Sequence, residues 1–314
     1  MRKILITGSL GQIGSELTHK LREVYGQENV IASARRQPED NPVVTEGIFE
    51  IVDVMDYENF LAIAKKHQVN TIIHLAALLS AKAEEEPAQA WHLNMQSLIN
   101  ALEVAKEVKA LFFTCSSIGA FGPSSPKDNT PQDTIQRPTT MYGITKLAGE
   151  LLCDYYFNKY GVDTRSVRFP GLISYQTLPG GGTTDYAVHI YYDAIKQKAY
   201  TSFINKGTTM DMMYMPDALN AIIQLIEADP NQLIHRNAFN VSAMAFDPEE
   251  IAVSIKKYIP EFKISYDVDP IRQGIADSWP NAMDISAAQQ EWGFKTEYDL
   301  DKMTQDMLKQ LSQK

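Results

Sequence analysis

The chain has 314 residues, enough for one large or two small domains. Hydrophobic residues make up 44% and charged residues 22%, which excludes intrinsic disorder and predicts a full core. Against 39 acidic residues stand 29 basic ones; the resulting net charge of −10 repels a phosphate backbone, so no nucleic-acid partner is expected.

No apolar run approaches the ~20 residues of a membrane span, and Met1–Gly8 passes straight into a β-like run without an apolar signal core. No membrane partner and a cytoplasmic location are therefore expected. Cys115 and Cys153 lie far apart, and the histidines (19, 67, 74, 92, 189, 235) show no HxxxH spacing. Neither a disulfide framework nor a metal site is expected.

Lys3–Thr7 reads as a buried strand and Gln12–Tyr25 as a helix with Ile13, Leu17, Leu21 and Val24 on one face. Asn29–Ser33, Ile48–Val52 and Thr71–Leu75 are the next strands, with a helix over Asp56–Lys66. A helix over Pro87–Lys106, a strand over Ala110–Cys115, a long helix over Thr139–Tyr160 and a strand over Asp163–Phe169 complete the first part. This alternation predicts an α/β fold, a Rossmann-type doubly wound parallel sheet spanning about residues 1–170. Residues 171–314 read as a smaller C-terminal α/β substrate lobe, with the chain free to cross back to the sheet. Helices are predicted over Asp185–Lys198, Pro216–Ala228, Pro248–Tyr258, Ala287–Trp292 and Leu300–Leu311, and short lobe strands over Tyr200–Ile204, Ala238–Val241 and Lys263–Tyr266.

Thr7 to Gly14 carries a GxxGxxG string where the first strand turns into a helix. Gly8 permits the tight turn, Gly11 admits a pyrophosphate and Gly14 lets the helix pack on the strand, while the helix N-terminus offers free N–H groups to phosphate. An acid that would take the ribose 2′-hydroxyl of NAD is absent after the second strand, where Ala34, Arg35 and Arg36 stand instead. Two guanidiniums there favour the 2′-phosphate of NADP; if they are only a solvated loop, NAD binds without that contact. Asp53, with Val54 beside it, follows the third strand and can accept a bond from the adenine amine, though it can equally be a solvated strand-end acid. The expected cofactor set is completed by Gln12 and Ile13 at the helix start, Leu75, Ala76 and Ala77 after the fourth strand, and Tyr142 with Lys146.

Tyr142 and Lys146 form a YxxxK pair on one helix face, where an ammonium can stabilise a phenolate. The spacing alone is weak, since Tyr155/Lys159, Tyr192/Lys196 and Tyr298/Lys302 share it. Position separates them: only Tyr142 opens the helix after the fifth strand, whose end, Ser116 to Gly122, places hydroxyls at the sheet's C-terminal edge.

TGxxGxxG, the SSxxxFG strand end and the YxxxK helix together resemble the extended short-chain dehydrogenase/reductase superfamily across essentially the whole chain. Longer strings (76–81, 168–174, 179–187, 212–215 and 276–280) resemble one branch, the short-chain-type L-threonine 3-dehydrogenases. The resemblance implies oxidation of the 3-hydroxyl of L-threonine to 2-amino-3-oxobutanoate with reduction of NAD or NADP. Carried over by position, Tyr142 would be the general base, and Lys146 would favour its phenolate and hold the nicotinamide ribose. Ser117, with Ser116 as neighbour, would bond the substrate oxygen. Ser80, Gly182 and Thr184 would hold the amino-acid head, and Leu78 and Trp279 would wall the pocket; for Ser80 and Thr184 the alternative is ordinary loop capping. The resemblance also suggests a homodimer, through the helices at Pro87–Lys106 and Thr139–Tyr160. The family's usual acid after the second strand is missing here. Two rival readings share the fold: a sugar-nucleotide epimerase or dehydratase, although the Asn those relatives commonly carry after the sixth strand is absent from Arg168–Leu172, and a nucleotide-binding redox sensor without turnover.

Overall fold

The structure is a computed structural model, and it describes residues 2–178 and 180–313. The chain begins with β1 (Ile4–Thr7), α1 (Gln12–Tyr25), β2 (Val30–Ala34), α2 (Pro42–Thr45), β3 (Phe49–Ile51), α3 (Tyr57–Lys66) and β4 (Thr71–His74). It continues through α4 (Ser80–Glu85), α5 (Pro87–Val108), β5 (Leu111–Ser117), α6 (Met141–Tyr160), β6 (Thr164–Phe169) and β7 (Gly171–Ile173). The remainder comprises α7 (Tyr186–Gln197), β8 (Ala199–Ser202), β9 (Met210–Tyr214), α8 (Met215–Glu227), β10 (Phe239–Asn240), β11 (Met244–Phe246), α9 (Pro248–Lys256), β12 (Lys263–Tyr266), α10 (Pro270–Ser278), α11 (Ser286–Trp292) and α12 (Leu300–Leu311).

Seven strands form one sheet in the order β10-β6-β5-β4-β1-β2-β3, with every pairing parallel. β1 lies inside it, Ile4 opposite Val30 of β2 on one side and Thr71 of β4 on the other. Alternation along β1 explains the layers. Ile4 and Ile6 pack with Leu17 and Leu21 of α1 and Ile222 and Leu225 of α8; Leu5 packs on the opposite face with Phe60 of α3 and Leu102 of α5. Each such side chain removed from water stabilises the fold by roughly 1.5–3 kcal/mol before chain entropy is counted. The strand order reverses between β1 and β4, and at such a switch point the loops leaving the strands' C-terminal ends part to leave a crevice.

A second core gathers around Tyr186, Ile190, Tyr191, Met212, Phe246 and Met303, beside two small sheets, β11-β9-β7 and β12-β8. One strand expected there belongs elsewhere. Within Ala238–Val241, β10 pairs with β6 and forms the edge of the main sheet, because Phe239 and Val241 join the core that α8 and α11 build over it. β7, β9, β11 and α10 were not anticipated.

Candidate active site

A cavity of about 280 Å³ opens at the switch point. Its walls come from the glycine-rich turn, the ends of β4 and β5, the inner face of α6, the chain after β6 and the loop before α7. Gly8, Gly11, Gln12, Ile13, Gly14, Leu75, Ala76, Ala77, Ser80, Ser117, Tyr142, Lys146, Gly182, Thr184 and Trp279, drawn from distant parts of the sequence, all line it. Of the four YxxxK pairs, only Tyr142 and Lys146 do so.

The glycine-rich turn is built for close approach. A Cβ on Gly14 would lie 2.2 Å from the Gly8 carbonyl oxygen, so α1 can start this near the end of β1 only with hydrogen at that position. α1 has no side-chain N-cap bond and no acidic residue in its first turn, leaving its positive end unneutralised. Gln12 Nε2, at that same end, is buried without a hydrogen-bond partner. An orphaned donor beside an uncapped helix N-terminus fits the pyrophosphate of a dinucleotide.

At the other end of the cavity, α6 is capped by Thr140, whose Oγ1 accepts from Gly143 N at 3.1 Å, and this sets Tyr142 at the helix start facing β5. Lys146 Nζ lies 5.4 Å from the Tyr142 ring centre and donates to the Cys115 carbonyl at 2.6 Å. Ser117 Oγ accepts from Gly119 N at 3.1 Å, which leaves its O–H free to point elsewhere. A methyl group placed on Gly119 would sit 3.4 Å from Ser117 Oγ, 3.4 Å from Tyr142 Cδ1 and 3.6 Å from Trp279 Cζ2, so these side chains converge.

Lys146 is the one charged cation among the described lining residues. His74 also lines the cavity, but burial, reinforced by Lys146, pushes its pKa down to about 3, and its ring bonds Thr7 Oγ1 at 2.8 Å. The Cys115 thiol is pushed up to about 12 by burial, against the opposing pull of Lys146, which keeps it a protonated thiol. The loop before α7 is tied by Asp185, whose Oδ2 accepts from Gly181 N at 2.9 Å and Gly182 N at 2.5 Å; burial raises this carboxyl's pKa. Pro179, read in the same string, lies outside the described residues.

Several expected residues do not line this cavity. Leu78 is replaced by its neighbour Leu79, because Asn94 clamps the Leu78 backbone, accepting from its N–H at 2.8 Å and donating to its carbonyl at 3.1 Å. Ala34, Arg35, Arg36, Asp53 and Val54 lie beyond it, past the ends of β2 and β3. Arg35 and Arg36 are exposed and form no ion pair among the described residues, while Asp53 Oδ1 accepts from Met55 N at 3.0 Å. Asn94, Asp185, Glu150 and Ser116 belong to the site's frame; sequence reasoning missed Asn94, Asp185 and Glu150. The described residues contain no group of three or more side chains able to hold a metal ion, and no helix long and apolar enough to cross a membrane.

A parallel doubly wound sheet, a glycine-rich turn fitted to a dinucleotide and a Ser/Tyr/Lys group at the C-terminal edge together define an extended short-chain dehydrogenase/reductase, an oxidoreductase class. The chain belongs to the NAD-dependent epimerase/dehydratase family, whose model matches residues 4–242. An uncharacterised epimerase/dehydratase of Staphylococcus saprophyticus is 60% identical over 308 residues, 98% of this chain and 96% of that protein. The X-ray structure of L-threonine dehydrogenase from Clostridium difficile is 69% identical, covers 100% of this chain and 98% of that one, and superposes with a TM-score of 0.98. The holo form of a GalE-like L-threonine dehydrogenase from Cupriavidus necator is 45% identical over 98% of this chain and 99% of that one, with a TM-score of 0.95.

Proposed function

We propose that the protein oxidises the 3-hydroxyl of L-threonine to 2-amino-3-oxobutanoate, using a nicotinamide dinucleotide. What carries this reading is the convergence of Ser117 and Tyr142 at Gly119, with Lys146 behind the phenol. The L-threonine dehydrogenases among its structural neighbours support the choice of substrate. When bound, the nicotinamide supplies the acceptor for the hydride leaving substrate C3. The Tyr142 oxygen takes the hydroxyl proton as the C–H bond breaks, so the carbinol loses one hydride and one proton and becomes a ketone. Ser117 donates its free O–H to the substrate oxygen. Lys146 places positive charge 5.4 Å from the centre of the Tyr142 ring and holds the nicotinamide ribose. The turn from Gly8 to Gly14, with Gln12 and Ile13, holds the pyrophosphate, and Leu75, Ala76 and Ala77 border the cofactor at the end of β4. Ser80, Gly182 and Thr184 hold the amino-acid head, and Leu79 and Trp279 close the apolar side.

The adenosine end favours NADP. No carboxylate stands at the end of β2 to meet a 2′-hydroxyl, the Ser33 hydroxyl is turned inward to the Ile6 carbonyl at 2.8 Å, and the Arg35 and Arg36 guanidiniums are free to take a 2′-phosphate. Nicotinamide reduction by L-threonine, followed at 340 nm with each cofactor in parallel, tests both statements. Turnover is expected with both, and a higher kcat/KM with NADP. Arg35→Ala with Arg36→Ala should lower kcat/KM for NADP roughly 10- to 100-fold and leave that for NAD nearly unchanged. No turnover with either cofactor, from folded protein that binds nucleotide, would shift the assignment to a sugar-nucleotide substrate.

A further inference from the structure

We infer that the buried Glu150–Arg168 pair is a positioning device, setting the distance between the helix that carries Tyr142 and Lys146 and the strand end that carries Ser117. The inference rests on the roles proposed above for those three residues. Glu150 stands four residues after Lys146 and eight after Tyr142, on the same inner face of α6, and its carboxylate borders the cavity. Its Oε1 accepts from the hydroxyl of Ser116, the covalent neighbour of Ser117, and from Arg168 Nε at 3.0 Å; its Oε2 accepts from Arg168 Nη2 at 2.9 Å and Gln136 Nε2 at 3.1 Å.

Arg168 is equally saturated. Besides the two bonds to Glu150, it donates through Nη1 to the Gln132 carbonyl at 2.9 Å and Asn240 Oδ1 at 3.0 Å, and through Nη2 to Gln136 Oε1 at 3.4 Å, while its guanidinium lies over Phe121 at 4.9 Å. All five N–H groups and all the carboxylate's acceptor positions are used, with the two side chains only 7% and 5% exposed.

Such a pair is poor evidence for stability, because desolvating two charges offsets most of their attraction. Its effect is geometric. A saturated network has one low-energy arrangement, and this one joins α6, the end of β5, β6, the loop holding Gln132 and Gln136, and β10. Among the hydrogen bonds of the described residues, two side chains of α6 reach the end of β5: Lys146, to the Cys115 carbonyl, and Glu150, to the Ser116 hydroxyl. Lys146 has a second task at the nicotinamide ribose, so Glu150 is the tie that serves position alone.

Glu150→Gln by itself would strand a buried guanidinium, so the informative protein is the double variant Glu150→Gln, Arg168→Met, in which neither charge is left uncompensated. Ser116→Ala is its companion, since it cuts the tie to β5 and leaves the ion pair whole. Two readouts are compared with the wild type, both at matched thermal stability: kcat and KM with L-threonine, and hydrogen–deuterium exchange across residues 116–121 without substrate. Exchange is expected to quicken at the Gly119 amide, which donates to Ser117 Oγ. kcat should fall about 100-fold in the double variant and about 10-fold in Ser116→Ala, with KM changed by less than about threefold. Gly119 exchange equal to the wild type in a folded variant overturns the inference, and so does wild-type kcat restored along with stability. Should the wild type itself not turn over L-threonine, the substrate assignment falls, and the exchange result still decides whether Glu150 fixes this segment.

Discussion

Tyr142 can line the cavity because the next residue has no side chain. A Cβ on Gly143 would fall 2.1 Å from the Gly119 carbonyl oxygen, so α6 can begin this close to the turn after β5 only with glycine there. Backbone packing thereby sets the phenol ring beside Gly119, toward which Ser117 Oγ also converges. Replacing Tyr142 by Phe keeps the ring and removes the hydroxyl proposed to accept the proton. Turnover should drop by roughly 10²- to 10⁴-fold while coenzyme affinity, measured by fluorescence titration, stays within a factor of two or so; undiminished turnover would exclude Tyr142 as the base. Ser117, Tyr142 and Lys146 were readable in the sequence because helix periodicity and the strand end put them on the same edge before any tertiary detail is known. Glu150, Arg168 and Asn94 were not. Their bonds link positions as distant in the chain as Arg168 and Asn240, and a lone Glu in a helix or Arg in a strand reads as a solvated face. Leu78 and Leu79 show the limit of such reading: the two are alike in sequence, but Asn94 holds the Leu78 backbone and Leu79 lines the pocket.

Among the elements, the helix bounds predicted for α1 and α12 match those observed, since periodic apolar faces and their ends coincide. β9 was missed because its run, Met-Asp-Met-Met-Tyr, breaks the apolar pattern with a carboxylate that is in fact buried. α10 carried a usable signal, an Asp-Pro pair in which the Asp269 side chain caps the Ile271 and Arg272 N–H groups, as Asp247 before Pro248 caps α9. The carboxylate inside β9 has consequences for stability. Asp211 accepts from the Ser242 hydroxyl and from Met283 N at 2.8 Å, and Met283 bridges to Thr130, so the strand anchors the segment that follows Trp279. Burial, against the opposing pull of those bonds, pushes its pKa up to about 7. The folded protein therefore keeps a proton that the unfolded chain gives up near pH 4. Stability associated with this group is fully present below that point and is lost as pH rises to about 7. Asp211→Asn cannot titrate, and can still accept from Met283 while donating to Ser242. Its stability should gain on the wild type as pH rises from about 4 to about 7 and level off above that, by on the order of a few kcal/mol in unfolding free energy. Parallel pH–stability curves would show that Asp211 does not titrate in this window.

For the molecule as a whole, the outer face of α6 presents an apolar stripe that its core packing does not use. Ile144, Leu151 and Tyr155 are 39%, 61% and 51% exposed at helical spacing, and Trp91 on the neighbouring α5 is 46% exposed. A stripe of this kind on two packed helices suits a second copy of the same surface, since a two-fold axis sets like against like. We propose that two chains pair through α5 and α6 in a four-helix arrangement. In such a dimer the helix bearing Tyr142, Lys146 and Glu150 on its inner face would be braced from its outer face as well. Each chain carries a net charge of −10, so association works against long-range repulsion and should tighten when salt is raised. Leu151→Glu puts a carboxylate into the middle of the stripe, where it must be desolvated or face its symmetry mate. Light scattering should give twice the chain mass for the wild type and a single chain mass for Leu151→Glu, whose thermal stability should depend less on protein concentration. A wild type that scatters as one chain at micromolar concentration and high salt, or a variant that stays paired, would rule this interface out.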